Sequence, residues 1–154
     1  TASNINLITK ESVFIDSRNI YLGKDAEEAD EQMILGNTLV KVINKMIDVN
    51  LRAPILLTTF LLTNLKKVVN INSMVGLEIK SPRTLYSATK WGLRGFSNSL
   101  KKENTNLTIL DVYPTNIKTT PERRNAMEID MVVNKIYNAF INNETKLILD
   151  GRIM

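Results

Sequence analysis

Two stretches of the chain are short, apolar and rich in β-branched residues, Lys67–Asn72 (KVVNIN) and Leu107–Val112 (LTILDV), the second ended by Pro114. Bounded by polar residues, they read as buried strands of an α/β sheet. A third run, Lys146–Leu149 (KLIL), follows the turn-like Asn142-Asn143-Glu144 and predicts a last short strand. Longer segments of helical spacing surround these runs, at Leu39–Leu62, Tyr86–Lys101 and Asp130–Asn142. In the middle one, Leu85, Ala88, Thr89, Gly92, Leu93, Phe96 and Leu100 recur at helical intervals and form one apolar stripe. Helix, strand, helix, strand, helix is the order that builds a parallel sheet with helical crossovers.

The N-terminal part is patterned differently. Asn6–Thr9 (NLIT) and Val13–Ile15 (VFI) look like strands, and Met33–Leu35 (MIL) like a third. The connections between them are too short to hold the helices that parallel pairing requires. The printed sequence is therefore expected to lack stretches of the polypeptide, with crossovers missing between Thr9 and Val13 and between Asn19 and Met33, where only Asp25–Gln32 forms a short acidic stretch.

Composition narrows the chemistry. A chain of 154 residues, 44% hydrophobic and 23% charged, can bury one sizeable core but is short for two domains, so residues 1–154 are read as a single domain. With no Cys and no His, disulfides, Cys/His zinc sites and every Ser-His or Cys-His mechanism are excluded. Proton chemistry would rest on Asp, Glu, Lys or Tyr. The most apolar run, around Ile55–Leu65, is broken by Thr58, Thr59, Thr63 and Asn64, and Thr1–Asn4 has neither a basic nor an apolar leader segment. A soluble, cytoplasmic protein without a membrane partner is the expectation. The net charge of +4 is carried partly by separated pairs, Lys66-Lys67, Lys101-Lys102 and Arg123-Arg124, without interleaved aromatics, so no nucleic-acid partner is expected.

Tyr86 and Lys90 stand four residues apart, hence one turn apart on one helix face. A free phenol titrates near pH ~10, and a neighbouring ammonium favours its phenolate and makes it a usable acid/base. Ser73 ends the strand-like KVVNINS run thirteen positions before Tyr86. Upstream, Pro54 has no N–H for the carbonyl of Asn50 and pushes that carbonyl away, which predicts a helix kink at Asn50.

A strand ending in Asn72-Ser73-Met74-Val75-Gly76, then a loop, then Tyr86-Ser87-Ala88-Thr89-Lys90 opening a helix, resembles the short-chain dehydrogenase/reductase family. Met46–Leu51 is similar to that family's Val-Asn segment, and Tyr113–Thr119 to its Pro-Gly-x-x-x-Thr loop, with Thr115 in the place of the Gly. The resemblance implies a Rossmann-like doubly wound parallel sheet with an incomplete N-terminal part, and an NAD(P)-dependent oxidoreductase that interconverts a carbonyl and an alcohol. It implies Tyr86 as proton donor or acceptor, Lys90 as its pKa-lowering partner and ribose contact, Ser73 as holder of the substrate oxygen and Asn50 as anchor of a water relay. Pro114, Ile117 and Thr119 would meet the nicotinamide, and Asn37 would lie in a degenerate Asn-Ala-Gly segment.

The six glycines, Gly23, Gly36, Gly76, Gly92, Gly95 and Gly151, include no Gly-x-x-x-Gly-x-Gly turn for a pyrophosphate. Val13–Asn19 resembles the family's second strand and ribose loop: Asp16 as the acid would suit NAD, whereas Ser17 at that position makes Arg18 a 2′-phosphate partner and favours NADP. The resemblance further implies a small-molecule substrate and a homodimer or homotetramer formed through the long helices, with Trp91 and Leu93 available to a partner. A non-catalytic dinucleotide-binding or scaffold relative that has lost the glycine turn is the alternative.

Overall fold

The computed structural model describes residues 40–152 together with the isolated strand Ser12–Asp16. Four strands, β1 (Ser12–Asp16), β2 (Lys67–Ile71), β3 (Thr108–Pro114) and β4 (Lys146–Leu149), form one parallel sheet in the order β1-β2-β3-β4. The register pairs Val69 with Phe14 and with Leu110, and Tyr113 with Ile148. All four strands run the same way, so their carboxyl ends share one edge of the sheet.

The side-chain alternation of strands explains the layers. Val69 and Ile71 of β2 and Leu110 and Val112 of β3 point to one face, where they bury with Val132 and Ala139 of helix α4 (Ile129–Ile141). Val68 and Ile109 point to the other and pack with Leu100 and Phe96 of helix α3 (Thr84–Glu103). Helices thus cover both faces, which is why β2 and β3 read as continuous apolar runs rather than alternating ones.

On the α3 face the alternation also buries Asn70 and Asp111. Asn70 donates through Nδ2 to Ser97 Oγ (2.8 Å) and Asp111 Oδ1 (3.4 Å), and Lys101 Nζ pairs with Asp111 Oδ2 at 2.7 Å. The buried carboxylate is compensated by this charge and amide, and the network fastens α3 to the sheet. Beside it, burial pushes the Tyr113 phenol up to about 12; the Asp111 charge adds to the rise and Arg94 partly offsets it.

The segment Val40–Asn64 is one helical rod with changing pitch: α1 (Val40–Ile47), a π-helical turn Asp48–Arg52, α2 (Ala53–Leu61) and a 3₁₀ turn Leu62–Asn64. Pro54 sits in the first turn of α2, and the Ala53 N–H reaches back to the Asp48 carbonyl, the five-residue step of a π-helix. The kink expected at Asn50 is thus absorbed as a widened turn. By length and composition this rod is long and apolar enough to cross a membrane, although Thr58, Thr59, Thr63 and Asn64 interrupt its most apolar stretch. One face of it, Met46, Asn50, Pro54 and Thr58, is buried, while Leu56, Leu57 and Phe60 are exposed.

Two further expectations change. Ser12–Asp16 pairs directly with the strand that leads to Ser73. In the order 3-2-1-4-5-6 a second strand lies between the first and the third, so β1 does not occupy the second-strand place assigned to Val13–Ile15. Leu93 is part of the protein's own core at 1% exposure and is not available to a partner, unlike Trp91. The strands proposed at Asn6–Thr9 and Met33–Leu35, and residues Arg18 and Asn37, lie outside the described residues.

Candidate active site

The carboxyl end of β2 passes into a 3₁₀ turn, Met74–Gly76, whose N-cap is Ser73, with Oγ accepting from the Val75 N–H at 3.4 Å. Asn72 holds this turn in place. Its Oδ1 accepts from the Ser73 N–H (2.9 Å), its Nδ2 donates to the Lys90 carbonyl (3.2 Å), and its own N–H donates to Val112 O (2.8 Å). Through its backbone N–H and its side-chain amide, Asn72 therefore ties the Ser73 turn to β3 and to the first turns of α3. Gly76 is required beside it, because a Cβ there would lie 2.7 Å from Asn72 Oδ1. Sequence reasoning missed Asn72: an Asn at the end of a strand carries no signal until its partners are known.

On α3, Tyr86 is half-buried and Lys90 fully buried, at 0% exposure. The helical step brings Lys90 Nζ to 5.6 Å from the Tyr86 ring centroid, and Nζ donates to the Ile71 carbonyl at 3.1 Å. The ammonium is thus placed between the phenol and the last residue of β2. Asn50 joins from the π-turn: its Nδ2 donates to Thr89 Oγ1 (3.3 Å), whose hydroxyl donates to the Tyr86 carbonyl (2.7 Å). Close approach of the rod depends on Gly92, where a Cβ would meet Leu51 Cδ2 at 3.1 Å. Asn50, Ser73, Tyr86 and Lys90 come from three elements and are joined through Thr89, Asn72 and Ile71.

Beyond β3, Thr115 donates its N–H to Leu149 O (2.8 Å), and its Oγ1 accepts from the Gly151 N–H (2.9 Å). Among the described residues the only non-Gly positions with positive φ are Asn125 and Asn143, so Thr115 occupies the glycine place without a left-handed backbone. Pro114 and Ile117 are buried, and Ile117 forms a parallel bridge with Met127. Thr119 is exposed, and Arg123 Nη1 donates to Ile117 O (3.2 Å) and Thr119 Oγ1 (3.4 Å). Asp16 ends β1 at the same sheet edge. A phenol, a buried ammonium and hydroxyls therefore gather along the carboxyl ends of β2 and β3, the edge where ligands bind in such sheets. This donor set fits the nicotinamide end of a dinucleotide.

Among known proteins, the short chain dehydrogenase family model matches residues 30–129, well over half of the chain. No curated protein matches the sequence. Similar solved structures include an alcohol dehydrogenase from Comamonas testosteroni specific for bulky-bulky ketones, with TM-score 0.69 and 21% identity over 89% of this chain and 53% of that one. A 4-hydroxyisoleucine dehydrogenase complexed with NADH gives TM-score 0.64 and 23% identity over 77% of this chain and 62% of the other. A short-chain dehydrogenase/reductase from Vibrio parahaemolyticus gives TM-score 0.66 and 24% identity over 76% and 59%. The chain thus spans about half to three-fifths of the length of these structures.

Proposed function

Because the chain belongs to the short chain dehydrogenase family of oxidoreductases, we propose that it interconverts a small carbonyl compound and its alcohol with NAD or NADP. The observation that carries this reading is the Lys90 ammonium, fully buried one helical turn from Tyr86 and held on the Ile71 carbonyl. A cation is not buried without reason, since desolvation opposes it. Here its field favours the phenolate of Tyr86 and brings the phenol within reach of proton transfer near neutral pH. Bound nicotinamide supplies or accepts the hydride. Ser73 orients the substrate oxygen toward Tyr86, and Asn50, at the widened turn, fixes the Tyr86–Thr89 turn and anchors the water through which Lys90 exchanges protons. Lys90, Pro114, Ile117 and Thr119 hold the nicotinamide nucleoside. The ribose-contact reading of Asp16 and Arg18 has lost its second-strand premise, and with it the preference for NADP over NAD. Exposed Leu56, Leu57 and Phe60 on the rod and Trp91 on α3 form an apolar surface suited to a second copy of the chain.

Purified protein mixed with NADH or NADPH and a panel of small ketones tests the reading: dinucleotide consumption that Tyr86→Phe abolishes supports it. Dinucleotide binding without turnover on any ketone or alcohol supports the non-catalytic relative. Absence of both binding and turnover overturns both.

A further inference from the structure

The carboxyl end of β4 continues into Asp150-Gly151-Arg152, and this short piece touches both loops of the candidate site. Toward the loop after β3, Leu149 O accepts from Thr115 N, Gly151 N donates to Thr115 Oγ1, and Gly151 lies so close to Met127 that a Cβ would meet Met127 Cγ at 2.8 Å. Met127 in turn brackets Ile117, donating its N–H to Asn116 O and accepting from Lys118 N, both at 2.9 Å. Toward the loop after β2, the Arg152 guanidinium reaches Glu78 Oε1 through Nη1 at 3.1 Å. It is aimed by Asp150, which takes Nε on Oδ1 (2.8 Å) and Nη2 on Oδ2 (2.7 Å) in a two-pronged pair. Glu78 belongs to the Ser73 turn, its N–H donating to Met74 O at 2.9 Å.

We propose that Arg152 is a positioning residue: locked on Asp150 and bonded to Glu78, it braces the Ser73 turn against the loop carrying Thr115, Ile117 and Thr119 and so sets the spacing between them. The inference rests on the reading of Ser73 and Ile117–Thr119 as substrate and nicotinamide contacts. Both partners of the bridge are half-exposed, with side-chain exposures of 53% and 39%, so the pair adds little to global stability. Its effect is on the relative placement of the two loops. Because it is exposed, the brace is also screened by salt.

Hydrogen exchange on the full chain tests it. Glu78→Gln and Arg152→Gln, each at low ionic strength and in about 1 M NaCl, where the screening length falls to ~3 Å, are compared with the wild type. The expected result is exchange raised about two- to fivefold over both Val75–Leu77 and Ile117–Thr119 in either variant. High salt should produce the same rise over Val75–Leu77 in the wild type and no further rise there in the variants, and the double variant should match the single ones; over Ile117–Thr119 the exposed Lys118–Glu128 pair is screened in every protein, so only the low-salt comparison is read there. A change confined to one loop, no change, or variants as salt-sensitive as the wild type over Val75–Leu77 overturns the brace. NADH titration by fluorescence runs alongside: coupled loops in a protein that binds neither NADH nor NADPH would sink the dinucleotide reading and leave the brace standing. Dinucleotide binding with uncoupled loops would do the reverse.

Discussion

Replacing Lys90 separates the chemistry of this residue from its packing. Lys90→Met keeps an unbranched stem of similar length and removes only the ammonium. In the folded protein that ammonium is fully buried and donates to Ile71 O at 3.1 Å. Leaving that carbonyl without its donor costs about 1–3 kcal/mol. Removing a buried charge returns a desolvation penalty of the order of several kcal/mol. The two oppose each other, so stability should change by no more than about 2 kcal/mol, a shift of roughly 4–8 °C for a chain of this size. Lys90→Ala loses the same charge and also empties the stem's space among Asn72, Tyr86 and β2, which adds about 2–5 kcal/mol of destabilisation. Catalytically the two variants should be alike. Without the cation the proposed support for the Tyr86 phenolate is removed, and turnover should fall ~10²-fold or more in both. Thermal melting followed by circular dichroism and NAD(P)H consumption with an active ketone give the two readouts. Lys90→Met keeping more than about a tenth of wild-type turnover would refute the assigned role. Equal destabilisation by Met and Ala would refute the packing argument.

Tyr86→Phe should lower kcat by ~10²-fold or more while changing dinucleotide affinity little, because only the hydroxyl enters the proton transfer; steady-state kinetics beside an NADH titration decide it. Tyr113 gives a pH signature: its phenol is held at about 12 in the folded protein and near ~10 when unfolded, so the neutral form is favoured by folding. That contribution is complete below pH ~10 and is lost as pH rises toward 12; denaturant unfolding should show roughly 1–2 kcal/mol less alkaline loss in Tyr113→Phe than in the wild type. Light scattering at micromolar concentration should show a dimer or larger species that Phe60→Glu dissociates, since Phe60 is 79% exposed on the apolar side of the rod; a monomeric wild type would contradict the assembly.

What the sequence determined lies within single elements. The four-residue step from Tyr86 to Lys90 places phenol and ammonium on one helix face whatever surrounds them. Pro54 removes the N–H that Asn50 would need, so a disturbed turn follows locally, and the structure realises it as the π-turn Asp48–Arg52. The runs at Lys67 and Leu107 had to be strands buried on both faces, and they became β2 and β3 with boundaries shifted by one or two residues. Tertiary structure decided everything that depends on which elements become neighbours. Val13–Ile15 was legible as a strand, but only sheet order puts it beside β2, because a strand's own pattern does not name its partner. Leu93 lay on the apolar stripe of α3, and only packing made it core while leaving Trp91 outside. Asn72, Asn70 and Asp111 looked like unremarkable polar residues in or beside strands. Each is buried with a hydrogen-bond partner on α3, and bonds between residues 10 to 27 positions apart leave no local trace. The same holds for Glu78 and Arg152, which are 74 positions apart in sequence and 3.1 Å apart in space. Their meeting is set by the parallel strands whose carboxyl ends share one edge, a property of the sheet and of neither segment alone.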